Sequence, residues 1–454
     1  MSNVSLVNGP FLAFLAALSF AAVIAALGGS PRHWDPRFVI VAALALSATV
    51  FTALFTGVEH RVGSSFPRSF LVWAALPLFA MGVGALSWKT AQPLRRLMAA
   101  ASVVLLFAFG AAQVNAHYAY LPTVGDVLGR PLPGQLPKNR PVPLTVPSMG
   151  TGSPGQGAVV ITDVPAPTSH FRARPAYIWL PPAYFRSPTP TLPVVLLLGG
   201  VPGSPIDMLR SGHGQAVAER YAKAHDGVAP ILVSPDLNGG FWQDTECVDG
   251  PRGNAERYLS VDVPRYVIDH FSTAVDPGSW GIFGYSEGGT CAITLGLRHP
   301  ERFGAYVDVS GGVRPTAALG SPARQRRLTT ARLFGGSVAR FRSHDPEYLL
   351  TQRRSRTTTG RLFAGSRDRD ARRSATRLMD ASGSSHQLSL QVLPAGTPTR
   401  SCLASWPSNC HVSQIFSSRA PRGRTHPRWP WVPEGRMSFR PSRSPVGRAS
   451  DVTE

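Results

Sequence analysis

Hydrophobic and polar positions change their pattern twice along the chain. The first 116 residues hold four apolar runs, "FLAFLAALSFAAVIAALGG" (11–29), "FVIVAALALSATVFTALFTG" (38–57), "SFLVWAALPLFAMGVGALSW" (69–88) and "LMAAASVVLLFAFGAAQVNA" (97–116). Each is about 20 residues long with no charge inside, the length a bilayer core demands of a helix, so four transmembrane helices are expected. A cleaved signal peptide is the rival reading of the first run, but no positive segment precedes it and further apolar runs follow at once. Residues 117–157 are rich in Pro and Gly without helical or strand period, which reads as a stiff spacer. From Ala158 onward short apolar runs ("GAVVITDVP", "LPVVLLLGG", "PILVSPD", "WGIFGYS", "FGAYVDVSG") alternate with helical stretches ("QAVAERYAKAH", "RYLSVDVPRYVIDHF", "GGTCAITLGLRHP"). That alternation predicts a mostly parallel sheet covered by helices on both faces, an α/β domain over 158–396.

Charge adds orientation and singles out the C-terminus. Arg32 and Arg37 follow the first run, Lys89, Arg95 and Arg96 follow the third, and only Arg61 and Arg68 oppose them in the short loops. Placing the two richer loops in the cytoplasm puts both chain ends outside: a multi-pass protein of the cell membrane with an extracellular C-terminal domain. The formal net charge is +20, and from Arg314 onward 25 Arg stand against 8 Asp and Glu, so +17 of it lies in the last 141 residues. The stretch 397–454 is rich in Arg, Pro and Ser, has no Lys and shows no sustained period, the composition of a segment that cannot bury a face. Without interleaved aromatics on a recognisable fold, nucleic acid is not the expected partner; membrane lipid or an anionic envelope polymer is.

Within the α/β region "GYSEGGT" (284–290) sets Ser286 between glycines, with a strand before it and a helix after it. Serine hydrolases place their nucleophile on such a turn, where the backbone is strained and small neighbours are needed. Attack on an ester also needs two backbone donors for the oxyanion. Glu287 supplies the first; Val201, in "LLLGGVPGS", is the candidate for the second, because Pro202 has no N–H.

"GGVPGSPIDML", "SPDLNGGFWQDTECVDGPRGNAERYLSVDVPRYV", "GYSEGGTCAITLGLRHPERFGAYVDVSGG" and "HDPEYLL" resemble the "putative esterase" branch of the α/β-hydrolases, which includes esterase D and the mycolyltransferases of the actinobacterial envelope. Several actinobacterial members also carry a multi-span membrane region. Many relatives have His where Gly199 stands. The resemblance implies a triad in the chain order Ser, Asp or Glu, His. "TTGRLFAGSRDRD" (358–370) supplies the acid, Asp368 first and Asp370 second; on the other reading both aspartates balance Arg367 and Arg369 on a solvated loop.

The histidine belongs after the last strand, "LSLQVLPAG" (388–396), in a Gly-His turn, and no such turn follows. Gly396-Thr397-Pro398-Thr399 is encoded GGN ACN CCN ACN, and a frame one base earlier permits Gly-His-Thr-Tyr, which points to a frameshift near residue 395. In the frame as written the candidates are His411, then His426, then His386, which precedes the last strand.

Cys247 and Cys291 form a disulfide if the domain is exported and are buried thiols otherwise; Cys402 and Cys410 fall in the tail. No CxxC pair, HExxH, P-loop or dinucleotide fingerprint occurs, so neither metal nor cofactor is expected. The expected activity is that of a membrane-anchored serine carboxylesterase on an ester substrate, lipid or envelope glycolipid among the candidates. An acyltransferase of mycolyltransferase type and a catalytically inactive envelope-binding scaffold are the alternatives.

Overall fold

A computed structural model describes residues 4–27, 44, 69–88, 91–118, 120–138, 156–317, 321–352, 358–383 and 386–393. The expected second span (38–57), residues 139–155 of the expected spacer and the whole tail from 394 lie outside these, Leu44 apart.

Among the described residues three long helices precede the α/β domain: Gly9–Leu27, Ser69–Ser87 and Pro93–Tyr118. The first and second of these each pack against Pro93–Tyr118. Among the described residues two helices, Gly9–Leu27 and Pro93–Tyr118, are long and apolar enough to cross a bilayer, where four spans were expected. The helix Ser69–Ser87 contains Pro77 and holds a shorter apolar stretch, Ser69–Gly82. The chain just before the first helix meets the chain just after the third. Leu6 N–H donates to Pro122 O (2.9 Å) and Val124 N–H to Val4 O (3.0 Å), so the two helix ends emerge side by side.

The α/β domain is built on eight strands: β1 (Ala158–Thr162), β2 (Ala176–Leu180), β3 (Val194–Leu198), β4 (Ile231–Ser234), β5 (Trp280–Tyr285), β6 (Ala305–Val309), β7 (Thr359–Gly365) and β8 (Gln387–Leu393). Their spatial order is β1-β2-β4-β3-β5-β6-β7-β8. β2 runs antiparallel to both its neighbours; from β4 to β8 every pairing is parallel. The continuous apolar run of β3 follows from this position, since all five of its residues are buried between two helical layers. Leu196 and Leu198 join a cluster with Tyr258, Val263, Ile293 and Leu295; Val195 and Leu197 join another with Val217, Ala218 and Phe363.

One expected helix, 257–271, is interrupted. Tyr258–Asp262 forms a π turn leading into Val263–His270, with Pro264 in the first turn, where its missing N–H costs nothing.

The near half of the expected spacer is built against the domain. Val124–Val127 is a capped helical turn. Beyond it Arg210 Nη2 donates to Arg130 O (2.8 Å), Gln215 Nε2 to Pro133 O (2.8 Å), and Leu136 N–H to Val159 O (2.8 Å). Pro and Gly richness disguised it because these contacts are made by main-chain groups, which leave no side-chain period.

Candidate active site at the end of the central strands

Parallel pairing brings the C-terminal ends of β5, β6 and β7 to one edge of the sheet. Tyr285 pairs with Val309, and Val309 with Phe363. Ser286 is the residue immediately beyond that row on β5. Its N–H donates to Val309 O (2.9 Å), and its φ of 57° with ψ of −119° is a conformation L-residues rarely adopt. The helix Glu287–Arg298 begins at the next residue, so the first N–H groups of a helix open beside the Ser286 side chain.

The glycines of the motif have a steric reason. A Cβ at Gly284 would stand 1.7 Å from Gly288 O, and one at Gly288 would stand 2.2 Å from Leu198 O. The turn closes only because both side chains are absent. Facing it is the loop after β3. A Cβ on Gly200 would lie 3.1 Å from Ser286 Cβ and 3.5 Å from Ser286 Oγ, so Gly200 brings the backbone leading to Val201 against the predicted nucleophile. The Val201–Pro202 peptide is cis.

That loop is held from below by residues that motif reasoning missed. Arg174 grips the buried carboxylate of Asp236 with two nitrogens, Nε to Oδ2 at 3.0 Å and Nη2 to Oδ1 at 2.7 Å, and its Nη1 donates to Gly203 O (3.0 Å). Gly203 N–H in turn donates to Phe241 O (3.0 Å), and Asp207 Oδ2 accepts from Ser204 N–H (2.7 Å). Among so many arginines nothing in the sequence marks Arg174.

Behind Ser286 lie three buried carboxyls, Asp244, Glu246 and Glu287. Asn238 Nδ2 donates to Glu287 Oε2 (2.8 Å) and Thr316 N–H to Glu246 Oε1 (2.8 Å). Burial pushes Asp244 up to about 6. Burial first and then the neighbouring Asp244 charge raise Glu246 and Glu287 well above the ordinary carboxylate range. The loop carrying two of them is strained, with left-handed φ at Glu246 (47°) and Cys247 (52°). The sulfurs of Cys247 and Cys291 stand 2.13 Å apart, joining this loop to the helix after Ser286.

Of the predicted acids, Asp368 sits three residues past β7 at the same edge as Ser286, two strands away, which is about 10 Å between strand axes. Its carboxylate caps the helix Arg369–Ser382, Oδ1 accepting from Ala371 N–H at 3.0 Å. Asp370 is almost fully exposed and pairs with Arg373 across one helical turn (3.7 Å).

The sheet separates His386 from Ser286. It precedes β8, whose first residue, Gln387, pairs with Thr359 at the start of β7. The seven residues of β8 therefore put it at the opposite edge, roughly 20 Å from Leu393. Four other described histidines are engaged elsewhere: Glu256 binds His344 (2.7 Å) and His299 (2.9 Å), and His225 and His270 bond to the Tyr221 and Tyr266 carbonyls. His411 and His426 lie outside the described residues. Among the described residues no group of three or more His, Cys, Asp or Glu is arranged to hold a metal ion.

A left-handed serine between a parallel strand and a helix, on a sheet of this strand order, defines the α/β-hydrolase class. The chain belongs to the family described as "Putative esterase", whose match runs over residues 169–425. An uncharacterised protein of Corynebacterium glutamicum is 31% identical over 362 residues, covering 77% of this chain and 81% of its own length. Solved structures similar to it include a ferulic acid esterase (17% identity, TM-score 0.45, 56% of this chain and 97% of that one). An S-formylglutathione hydrolase from Agrobacterium tumefaciens is similar at 19% identity and TM-score 0.44, over 56% of this chain and 93% of its own. Family membership supports an esterase-type hydrolase.

Proposed function

We propose that this protein is a membrane-anchored serine esterase whose α/β domain works at the outer face of the cell membrane and cleaves carboxylic esters through an acyl-enzyme. The observation that carries it is the strained turn at Ser286, with a helix start on one side and Gly200 closing on the other. Ser286 Oγ attacks the ester carbonyl; the N–H groups of Glu287 and Val201 receive the oxyanion. A histidine from the chain after Leu393, His411 in the frame as written, takes the serine proton and returns it to the leaving alcohol. Asp368 orients that histidine. Water then resolves the acyl-enzyme by the same steps in reverse.

The outer-face assignment rests on the Lys and Arg distribution and on the adjacent emergence of the first helix start and the third helix end, which an even number of crossings requires. A Cys247–Cys291 disulfide agrees with an oxidising exterior.

Fluorophosphonate labelling of the full chain in detergent, beside Ser286→Ala, tests the reading. Labelling of the wild type that disappears in the variant is the expected result; equal labelling of both, or none in a folded wild type, overturns it.

A further inference from the structure

The surface beside the Gly200–Pro202 loop carries an aromatic ledge that the proposed chemistry does not use. Phe241 and Trp242 are 39% and 56% exposed, and their rings meet edge-on at 5.1 Å. Tyr120 completes the ledge: its ring lies 5.9 Å from that of Phe241, and its phenol donates to Pro202 O. Because Gly203 N–H is bonded to Phe241 O, ledge and loop form one unit.

Where the ledge lies in the chain decides what covers it. Tyr120 follows the helix Pro93–Tyr118 by two residues, and that helix is apolar enough to cross a bilayer, with Leu97, Val104 and Phe107 exposed along it. Two residues past a membrane-spanning helix is headgroup depth, the level where amphipathic rings prefer to sit. Phe241 touches Tyr120, so it shares that level, and Trp242 touches Phe241. Leu121, the next residue of the chain, is also exposed (37%). In a water-facing loop two adjacent large aromatics would be a standing cost; against a leaflet they are stabilised.

We infer that Tyr120, Phe241 and Trp242 form an interfacial contact with the leaflet in which the helix Pro93–Tyr118 ends, holding the mouth of the Ser286 site against the membrane. This rests on the serine-esterase reading and deepens it: the ester enters from the plane of the bilayer, acyl chain first, along a rim of rings already at headgroup depth. A soluble ester reaches the same serine from the aqueous side.

The test uses the full chain in lipid nanodiscs, wild type against Trp242→Ser, with two readouts. The first is quenching by lipids brominated on the acyl chain, taken as the difference in tryptophan fluorescence between the two proteins. The second is the rate on p-nitrophenyl acetate and on a fluorogenic long-chain acyl ester dissolved in the disc. Expected are a quenched difference signal, an unchanged rate on the soluble ester and a fall of about tenfold on the embedded one. An unquenched difference signal overturns the membrane contact. Equal rate losses on both esters overturn it in favour of a part in the chemistry itself, and unchanged rates on both overturn the entry route. If the folded wild type cleaves neither ester, the esterase reading has failed, and the quenching alone decides the contact.

Discussion

Gly200 and Ser286 face each other so closely that a methyl group on the glycine would stand 3.1 Å from the serine Cβ. This is tighter than ordinary contact, and the nearest other atom, Tyr285 O at 3.3 Å, belongs to backbone that cannot swing away. Gly200→Ala therefore moves the loop rather than the serine, and with it the Val201 N–H. Loss of one oxyanion donor costs on the order of 10²–10³ in kcat. Steady-state kinetics are expected to show a fall of that order at similar KM, with the melting temperature little changed. A variant with full kcat would remove Val201 from the oxyanion role.

Asp368 and Asp370 differ by two positions and by everything that matters to chemistry. The first caps a helix at the edge where Ser286 lies, and the second lies on an exposed surface. Replacing Asp368 with Asn keeps a good cap but cannot hold a cationic imidazole, so ester turnover is expected to drop by about 10³–10⁴ with stability nearly intact. Asp370→Ala is expected to change neither by a measurable amount. Turnover unaffected by Asp368→Asn would place the triad acid elsewhere.

The contrast shows how far the chain could be read before folding. A strand, a strained serine and a helix leave a local imprint, GxSxG flanked by apolar runs, and Asp368 follows because a polar turn ends an apolar strand. The Arg174–Asp236 clamp, the Asn238–Glu287 bond and the seat of Tyr120 on Pro202 leave none, since each joins residues 49 or more positions apart through bonds that many side chains could make. The apolar runs at 11–29 and 97–116 were legible for the opposite reason: length and hydropathy alone make Gly9–Leu27 and Pro93–Tyr118 candidates to cross a membrane.

Cys247 and Cys291, 44 positions apart, close a loop that begins at the strained Glu246–Cys247 turn and ends on the helix after Ser286. A cross-link of that span stabilises by about 2–4 kcal/mol through the unfolded chain. Cys291→Ser is accordingly expected to lower the melting temperature by several degrees and to expose Cys247 to thiol reagents on denaturation. If the denatured, unreduced wild type gives the same thiol count as one with both cysteines free, the bridge is absent.

The carboxyl cluster behind Ser286 sets the acid–base behaviour of the fold. Asp244 titrates near 6 in the folded domain, against about 4 when unfolded. The sign follows directly: stability is fully present below about pH 4, where both states hold the proton. It is lost as pH rises through about 6, where the folded state still binds protons that the unfolded chain has released. The loss is on the order of 3 kcal/mol for Asp244, and Glu246 and Glu287, also raised, add losses of the same sign. Glu246→Gln keeps an acceptor for the Thr316 N–H and removes one of the three charges, so its melting temperature is expected to fall less steeply between pH 5 and 8. Parallel curves for the two proteins would mean that the cluster does not titrate with the fold.

The remaining question is which histidine serves Ser286, and the sheet narrows it. Leu393 pairs with Gly365 and its carbonyl accepts from Ser366 N–H (2.8 Å), so the chain leaves β8 beside the turn that carries Asp368. A histidine supplied after Leu393 has to reach back from β8 across β7 to lie between that acid and Ser286, where the gap of two strands needs an imidazole. His386, at the other end of β8, would have to cross the sheet. His386→Ala is therefore expected to label with fluorophosphonate as the wild type does, while His411→Ala is expected to lose labelling if the frame as written is the working one. Wild-type labelling that survives His411→Ala and His426→Ala would move the base outside the tail. Absent labelling in a folded wild type would make the codons around Gly396 the place to look, because a frame one base earlier there permits a Gly-His turn after the last strand.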